Sequence, residues 1–253
     1  MHPTGLEPVH GAVPIGGRVQ LSVVVPTYNE RERIAELVHA ILAACRQAGI
    51  HAEVVIVDDN SPDGTGEVAA HLATQDDAVR VIRRPGKLGL GSAVMDGFRA
   101  AHGAALGVMD ADFSHPPALV PELYRTLMSG EADFVVASRY VRGGSTPGWP
   151  MSRRLMSRLA CLLARPFTAV KDGTSGFFLF RREAIAGIVV FTSGFKIALE
   201  LLVRSGARRV VEVPYAFVDR TTGRSKMTLR EGLGYLAQLG TLGVDHFRKG
   251  TRR

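Results

Sequence analysis

The sequence predicts an α/β protein: a mostly parallel sheet with helices on both faces. Three observations predict it. Short apolar runs alternate with segments whose apolar residues recur at helical spacing. Four of those runs end in clusters of acidic and polar residues. No stretch reaches the roughly 18 uninterrupted apolar residues of a membrane-spanning helix. Strands alternating with helices are the mark of a parallel sheet, and such sheets bind ligands at the carboxyl ends of their strands.

The elements follow in order. Met1 to Arg18 is rich in Gly and Pro, lacks the apolar block of a signal peptide, and is expected to be a disordered tail. Leu21-Ser22-Val23-Val24-Val25 reads as a buried strand that Pro26 ends. Ile34, Leu37, Val38, Ile41, Leu42 and Cys45 then lie at helical spacing. Glu53 to Val57 is the second strand, Glu67 to Leu72 a short helix, and Val79 to Arg83 the third strand. A helix over Ser92 to Ala101 leads into a fourth strand that closes at Asp110. A helix over Leu119 to Met128 and a fifth strand over Asp133 to Ala137 follow.

The pattern then changes. Met151 to Phe167 is basic and amphipathic. Phe177 to Phe180 and Arg209 to Phe217 are further strands, with a helix around Ile197 to Arg204 between them. From Met227 a Gly-interrupted amphipathic segment leads to the basic end Arg248-Lys249-Gly250-Thr251-Arg252-Arg253. The expected organisation is a tail over 1–18, one α/β domain over 19–226, and an amphipathic basic segment over 227–253.

The 253 residues are 46% hydrophobic, enough for a full core, and carry a net charge of +7. A basic balance points to an anionic partner: nucleic acid, a phosphorylated substrate or a membrane surface. Nucleic acid is not expected, because no aromatic-basic patch or reading motif is present. Cys45 and Cys161 lie far apart without metal-ligand spacing; Cys45 continues an apolar helix face, and nothing implies an oxidising compartment.

Asp110-Ala111-Asp112 is the most informative feature. Two carboxylates this close repel unless a cation or proton lies between them. Mg²⁺ or Mn²⁺ is commonly held by one or two carboxylates with substrate phosphates completing its shell. A solvated surface turn is the plainer alternative. The other strand ends tip the balance: Pro26-Thr27-Tyr28-Asn29-Glu30, Asp58-Asp59-Asn60-Ser61 and Ser138-Arg139-Tyr140. In a parallel sheet they share one rim with the acid pair. Acids can accept hydrogen bonds from ribose and base and can hold a metal, so a nucleoside diphosphate across the rim is expected.

Several motifs together resemble family-2 glycosyltransferases: Val-Val-Pro-Thr-Tyr-Asn-Glu (24–30), Val-Asp-Asp-Asn-Ser-Pro-Asp-Gly-Thr (57–65), Gly-Leu-Gly-Ser-Ala (89–93), Asp-Ala-Asp-Phe-Ser-His-Pro-Pro (110–117), Ser-Arg-Tyr (138–140), Asp-Gly-Thr-Ser-Gly-Phe (172–177) and Asp-Arg-Thr-Thr-Gly-Arg-Ser-Lys (219–226). Within that family they resemble the polyprenol (dolichol) phosphate mannosyltransferases. The resemblance implies a GT-A fold and transfer of mannose from GDP-mannose to a polyprenyl phosphate, with inversion, using Mg²⁺ or Mn²⁺. It leaves a UDP-sugar donor such as UDP-glucose as an alternative. A non-catalytic sugar-nucleotide or membrane-binding module is the alternative of another class. Where the family pattern has Leu-Gln after the acid pair, this chain has Phe113-Ser114, a hydroxyl in place of an amide. Many relatives also carry C-terminal membrane spans, so a peripheral protein on the cytoplasmic face is expected, with a membrane-protein partner as one way to replace the spans.

On this reading Asp110 and Asp112 are the metal ligands, with Ser114 the weakest third candidate. Pro26, Tyr28, Asn29, Glu30, Asp58, Asp59, Lys87, Gly89, Asp110 and Ala111 are the nucleotide-binding candidates. Turn capping is the competing role for Asp58 and Asp59. Arg139, Arg220 and Lys226 are the candidates for phosphate, the acceptor's included. Gly86 to Gly91 fits neither a phosphate-binding P-loop nor a dinucleotide fingerprint, and reads as a turn where backbone approaches the donor. His115 is either a base or a turn-shaping residue. No base is required, since a phosphomonoester with a second pKa of about 6 is ionised near neutral pH. Arg153, Arg154, Arg158 and Arg165 alternate with Leu155, Met156, Leu159, Leu162 and Leu163 after Trp149, the pattern of an interfacial helix. Leu229, Leu233, Leu236, Leu239 and Leu242 offer a second anchor, weakened by Gly232, Gly234, Gly240 and Gly243.

Overall fold

A computed structural model describes residues 19–185, 188, 196–205 and 207–218, and the backbone of 229–250, with side chains for 232–243. Its frame is a sheet whose strands are β1 (Leu21–Thr27), β2 (Ala52–Asp58), β3 (Val79–Arg83), β4 (Ala105–Val108), β5 (Phe134–Ser138), β6 (Phe178–Arg181) and β7 (Val210–Pro214). They lie in the order β3-β2-β1-β4-β6-β5-β7. β1 pairs in parallel with β2 and β4, β2 with β3, and β5 with β7. β6 runs antiparallel to both β4 and β5. The sheet is thus mostly parallel, with one reversed strand that the apolar pattern did not distinguish. Because β6 is reversed, its amino end lies at the rim where β1, β2, β4 and β5 end.

Side chains alternate between the faces, as strand geometry requires. Val23 and Val25 of β1 and Val54 and Ile56 of β2 pack on one side with α1 (Ile34–Gln47), α2 (Thr65–Gln75) and α4 (Val120–Met128). Val24, Val55 and Val57 pack on the other with α3 (Leu90–Ala100) and α6 (Ile197–Ser205). α1 forms because its six spaced apolar residues are all buried, Cys45 among them. Gly49 at φ 70° then turns the chain away. Pro26 does not end β1; it lies inside the strand opposite Val57.

α5 (Met151–Ala164) and α7 (Leu229–Gly250) lie outside this two-faced core. Ala164 of α5, Leu199 of α6 and Leu242 of α7 form a small cluster of their own. The glycines do not break α7. Tertiary contacts hold it: Tyr235 donates its hydroxyl to Ala160 O at 2.7 Å, and Gln238 Nε2 to Lys196 O at 3.2 Å. Among the described residues no helix is long and apolar enough to cross a membrane.

α3 approaches β1 closely at Gly97, where an added Cβ would lie 2.4 Å from Val24 Cγ1 and 3.2 Å from Val57 Cγ2. Gly97→Ala gains at most about 1 kcal/mol of helix propensity. Overpacking costs typically about 1–3 kcal/mol and prevails, since both valines are locked in the sheet. Urea unfolding is expected to show a net loss of up to about 2 kcal/mol.

Candidate active site

The rim is built from turns that tie neighbouring strand ends together. Non-glycine residues in the left-handed region sit after three of those ends: Asn29 (φ 62°), Asn60 (φ 57°) and Phe113 (φ 60°). Asn tolerates this region; a bulky Phe does so only when its surroundings over-determine it. The Asn29 N–H donates to Ser61 Oγ at 3.1 Å, and the Glu30 N–H to Thr65 Oγ1 at 2.9 Å, fastening the β1 turn to the β2 turn.

Asp58 is fully buried. Its Oδ1 accepts from Ser61 Oγ (2.5 Å) and Thr27 Oγ1 (3.2 Å), and its Oδ2 from the Ser61 N–H (3.0 Å). Its carboxylate is engaged by the turn, the arrangement that the capping alternative describes. Asp59 is nearly buried and accepts from Arg84 Nη1 at 2.5 Å. Burial lifts its carboxyl above the ordinary value, against the pull of Arg84. Arg84 also donates to Ser92 Oγ at 2.6 Å, anchoring the start of α3. Gly89 stands just before α3 at φ 101°, ψ 150°, a conformation open essentially to glycine alone. Tyr28 and Lys87, far apart in sequence, meet with Nζ 3.9 Å from the ring centre. Ala111 is buried in the core beneath the rim.

The acid pair leaves β4 at the centre of the rim. Asp112 Oδ1 accepts the Ser114 N–H at 3.0 Å. The Asp110 N–H donates to His115 Nδ1 at 3.2 Å, while His115 Nε2 lies 3.8 Å from Asp110 Oδ2. The imidazole is 1% exposed and stacks on Phe177. Burial pulls its pKa down to about 3, outweighing the opposing Asp112 charge. With Nδ1 accepting the Asp110 N–H and burial disfavouring the charged ring, His115 shapes the turn.

The side chains present fit a divalent cation. Ser114 Oγ is buried with no hydrogen-bond partner, on the same turn as two hard carboxylates. Among the described residues no three His, Cys, Asp or Glu side chains form a cage. That matches an ion of the Mg²⁺ class, which takes one or two carboxylates and completes its shell with phosphate oxygens and water.

Arg139 follows β5. Its Nε donates to Asp172 Oδ2 (2.7 Å), its Nη2 to Asp172 Oδ1 (2.6 Å) and Thr174 Oγ1 (3.1 Å), and its backbone N–H to Asp172 Oδ2 (2.9 Å). Asp172 is fully buried, and its own N–H donates to Glu212 Oε1 at 3.0 Å. Burial pulls the guanidinium pKa down, but hydrogen bonds and charge from Asp172 outweigh it and raise the value. The loop from Asp172 to Gly176 therefore spans the site. One end grips Arg139; at the other, a Cβ on Gly176 would come 3.0 Å from Asp110 Oδ2.

The structure thus brings together Asp110, Asp112, Ser114 and Arg139, and joins Tyr28 to Lys87. Arg220 and Lys226 lie outside the described residues. Sequence reasoning missed Asp172, Arg84 and Gly176 as site residues. The motif 172–177 was visible in the sequence, but only the reversal of β6 shows that it lies on the rim.

The description "Glycosyl transferase family 2" matches residues 22–188. A dolichol-phosphate mannosyltransferase of Pyrococcus furiosus is 41% identical over 225 residues, 87% of this chain. The chain spans 63% of that protein's length. One from Saccharomyces cerevisiae is 39% identical, covering 90% of this chain and 89% of that protein. Among solved structures, glucosyl-3-phosphoglycerate synthase of Mycobacterium tuberculosis in complex with Mn²⁺ and UDP-glucose shares the fold. Its TM-score is 0.64 at 24% identity, covering 89% of this chain and 78% of that one. The chain belongs to glycosyltransferase family 2 and has its GT-A-like fold.

Removing one partner of a buried ion pair costs about 3–5 kcal/mol, while replacing both with apolar residues is often neutral. In urea unfolding Asp172→Ala is expected to lose stability on that scale, and Arg139→Met with Asp172→Leu to recover most of it. A loss in the double variant equal to the sum of the losses in Asp172→Leu and Arg139→Met alone would show that the pair is not coupled.

Proposed function

We propose that this family-2 glycosyltransferase moves mannose from GDP-mannose to a polyprenyl phosphate, with inversion, at the cytoplasmic face of a membrane. The observation that carries the reading is the Asp110–Asp112 pair at the end of β4, tied by one loop to an anchored Arg139. The names of the relatives support the donor sugar and the acceptor.

Asp110 and Asp112 would hold Mg²⁺ or Mn²⁺, with Ser114 Oγ the third protein oxygen. When bound, the cation supplies charge neutralisation for the diphosphate as it departs. Asp59, Glu30, Asn29 and the Tyr28–Lys87 pair would flank the nucleotide, with Gly89 allowing close backbone approach. Pro26, within β1, and Ala111, in the turn after β4, shape that wall from below. Arg139 has Nη1 uncommitted to Asp172 or Thr174 among the described residues, and would orient phosphate with Arg220 and Lys226. An acceptor phosphate oxygen attacks the anomeric carbon as the bond to the diphosphate oxygen breaks, and the electron pair leaves with GDP. The nucleophile is already anionic near neutral pH, so positioning and charge carry the rate.

A lipid surface is the occupant that fits α5 and α7. Met151, Leu155, Met156, Leu159, Leu162 and Leu163 of α5 and Leu233 and Leu236 of α7 are exposed. Only Ala160, Cys161 and Ala164 of α5 are buried, so packing on the sheet does not account for its leucines. Interleaved arginines match anionic headgroups, and the acceptor's own tail lies in such a surface.

Incubation with a polyprenyl phosphate, Mg²⁺ and a panel of GDP- and UDP-sugars is expected to give lipid-linked mannose from GDP-mannose alone. Product from a UDP-sugar instead would reassign the donor; no product from any donor would remove the activity. Asp112→Asn should lower turnover by on the order of a hundredfold or more. In co-sedimentation with anionic vesicles, Leu155→Glu with Leu159→Glu should weaken binding roughly a hundredfold, from two leucines at about 1.5 kcal/mol each. Unchanged binding would take α5 out of the interface.

A further inference from the structure

Two residues flank the Asp110 carboxylate without a part in the chemistry above. His115 folds back over the first acid because Phe113 takes a left-handed turn and Ser114 closes onto Asp112. Its Nδ1 accepts the Asp110 N–H at 3.2 Å, which places the imidazole proton on Nε2. Nε2 lies 3.8 Å from Asp110 Oδ2, beyond hydrogen-bond length but close enough to bias the carboxylate electrostatically. The ring is held in place: stacked on Phe177 at 5.1 Å, it meets Tyr215 and Phe217 edge-on, each at 5.7 Å.

Gly176 stands against the same carboxylate. A Cβ there would lie 3.0 Å from Oδ2 and 3.3 Å from Oδ1. Its φ is not in the left-handed region, so the backbone would accept any residue. What the glycine supplies is room for two oxygens. It is fixed from its own side, because the Ala137 N–H donates to Phe177 O at 2.9 Å and the Phe177 N–H to Ser175 Oγ at 3.2 Å.

We infer that His115 and Gly176 are positioning residues that hold the Asp110 carboxylate in one orientation for a divalent cation. His115 anchors the backbone of the ligand and faces its carboxylate with an N–H; Gly176 leaves the space that orientation needs. The inference rests on the cation reading of Asp110 and Asp112. Groups behind a metal ligand that fix its orientation are worth roughly 10–100-fold in metal affinity. A carboxylate free to rotate would instead lose that ordering entropy when the ion arrives.

The test is Mn²⁺ binding followed by electron paramagnetic resonance in the presence of GDP, without acceptor or turnover. Gly176→Ala is expected to weaken Mn²⁺ roughly tenfold with an unchanged melting temperature in the absence of metal. His115→Ala should weaken it by at least as much. His115→Asn, whose Oδ1 can replace Nδ1 as acceptor, should recover part of the loss. Wild-type Mn²⁺ affinity in both Gly176→Ala and His115→Ala, with Asp112→Asn abolishing binding, would overturn the inference and leave the cation reading intact. No Mn²⁺ bound by the unsubstituted protein would overturn both. If His115→Ala does not fold, Gly176→Ala decides alone.

Discussion

The site depends on the buried pair between Asp172 and Arg139. Taking a carboxylate and a guanidinium out of water costs several kcal/mol each, and only close and complete satisfaction offsets that. Here it is nearly complete. Asp172 accepts three bonds from Arg139, and its own N–H is met by Glu212. The reward is geometric rather than energetic. Because β6 runs against its neighbours, the loop that feeds it crosses the rim from Arg139 to the acid pair. The pair fixes one end of that loop, and Gly176 at the other end lies against Asp110. The spacing between Arg139 and the Asp110–Asp112 pair is therefore set by five residues of backbone pinned at both ends.

The same pair ties the outer helices to the site. Cys161, one of the few buried residues of α5, has its Sγ 3.3 Å from Thr174 Oγ1 and 3.8 Å from Asp172 Oδ1. α7 is fastened to α5 through Tyr235 and to the start of α6 through Gln238. Lys196, at that start, donates to Thr174 O at 3.5 Å. The helices whose apolar faces point outward are thus rooted, on their inner faces, in the residues that hold Arg139. A lipid-borne phosphate approaching from the side of α5 would arrive beside the guanidinium.

Much of this was legible in the sequence, and for physical reasons. β3 was located to the residue, and α1 by its six apolar positions, because a sheet covered on both faces leaves strong hydrophobic periodicity. The acid pair was legible because two adjacent carboxylates at a strand end need a reason to be there. Strand direction was not legible: β6 is as apolar as its parallel neighbours, and orientation leaves no mark on composition. Pro26 read as a terminator, yet β1 continues past it to Thr27. Asp58 and Asp59 looked alike in sequence, but the turn claims the first and Arg84 the second. Their partners differ through contacts distant in sequence, and a local motif does not carry those contacts.

Charge explains why this arrangement calls for a cation rather than a base. Asp172 is bonded to Arg139, and the charges of Asp172 and Asp110 both act on Lys196. Lys196 is weakened as an acid–base cation because burial lowers its pKa, with Arg139 adding to that and Asp172 opposing it. Since Asp172 and Arg139 neutralise each other, what remains at the centre of the rim is negative. A nucleoside diphosphate and an anionic acceptor cannot both enter such a place unaided. A divalent ion held by Asp110 and Asp112, as proposed, would reverse the local sign without a proton being moved. His115, which lies beside the acids and has the chemistry of a base, has its charged form disfavoured by burial and its Nδ1 turned toward the backbone. On the proposed function the imidazole would serve to fix a ligand, in keeping with a nucleophile that arrives already ionised.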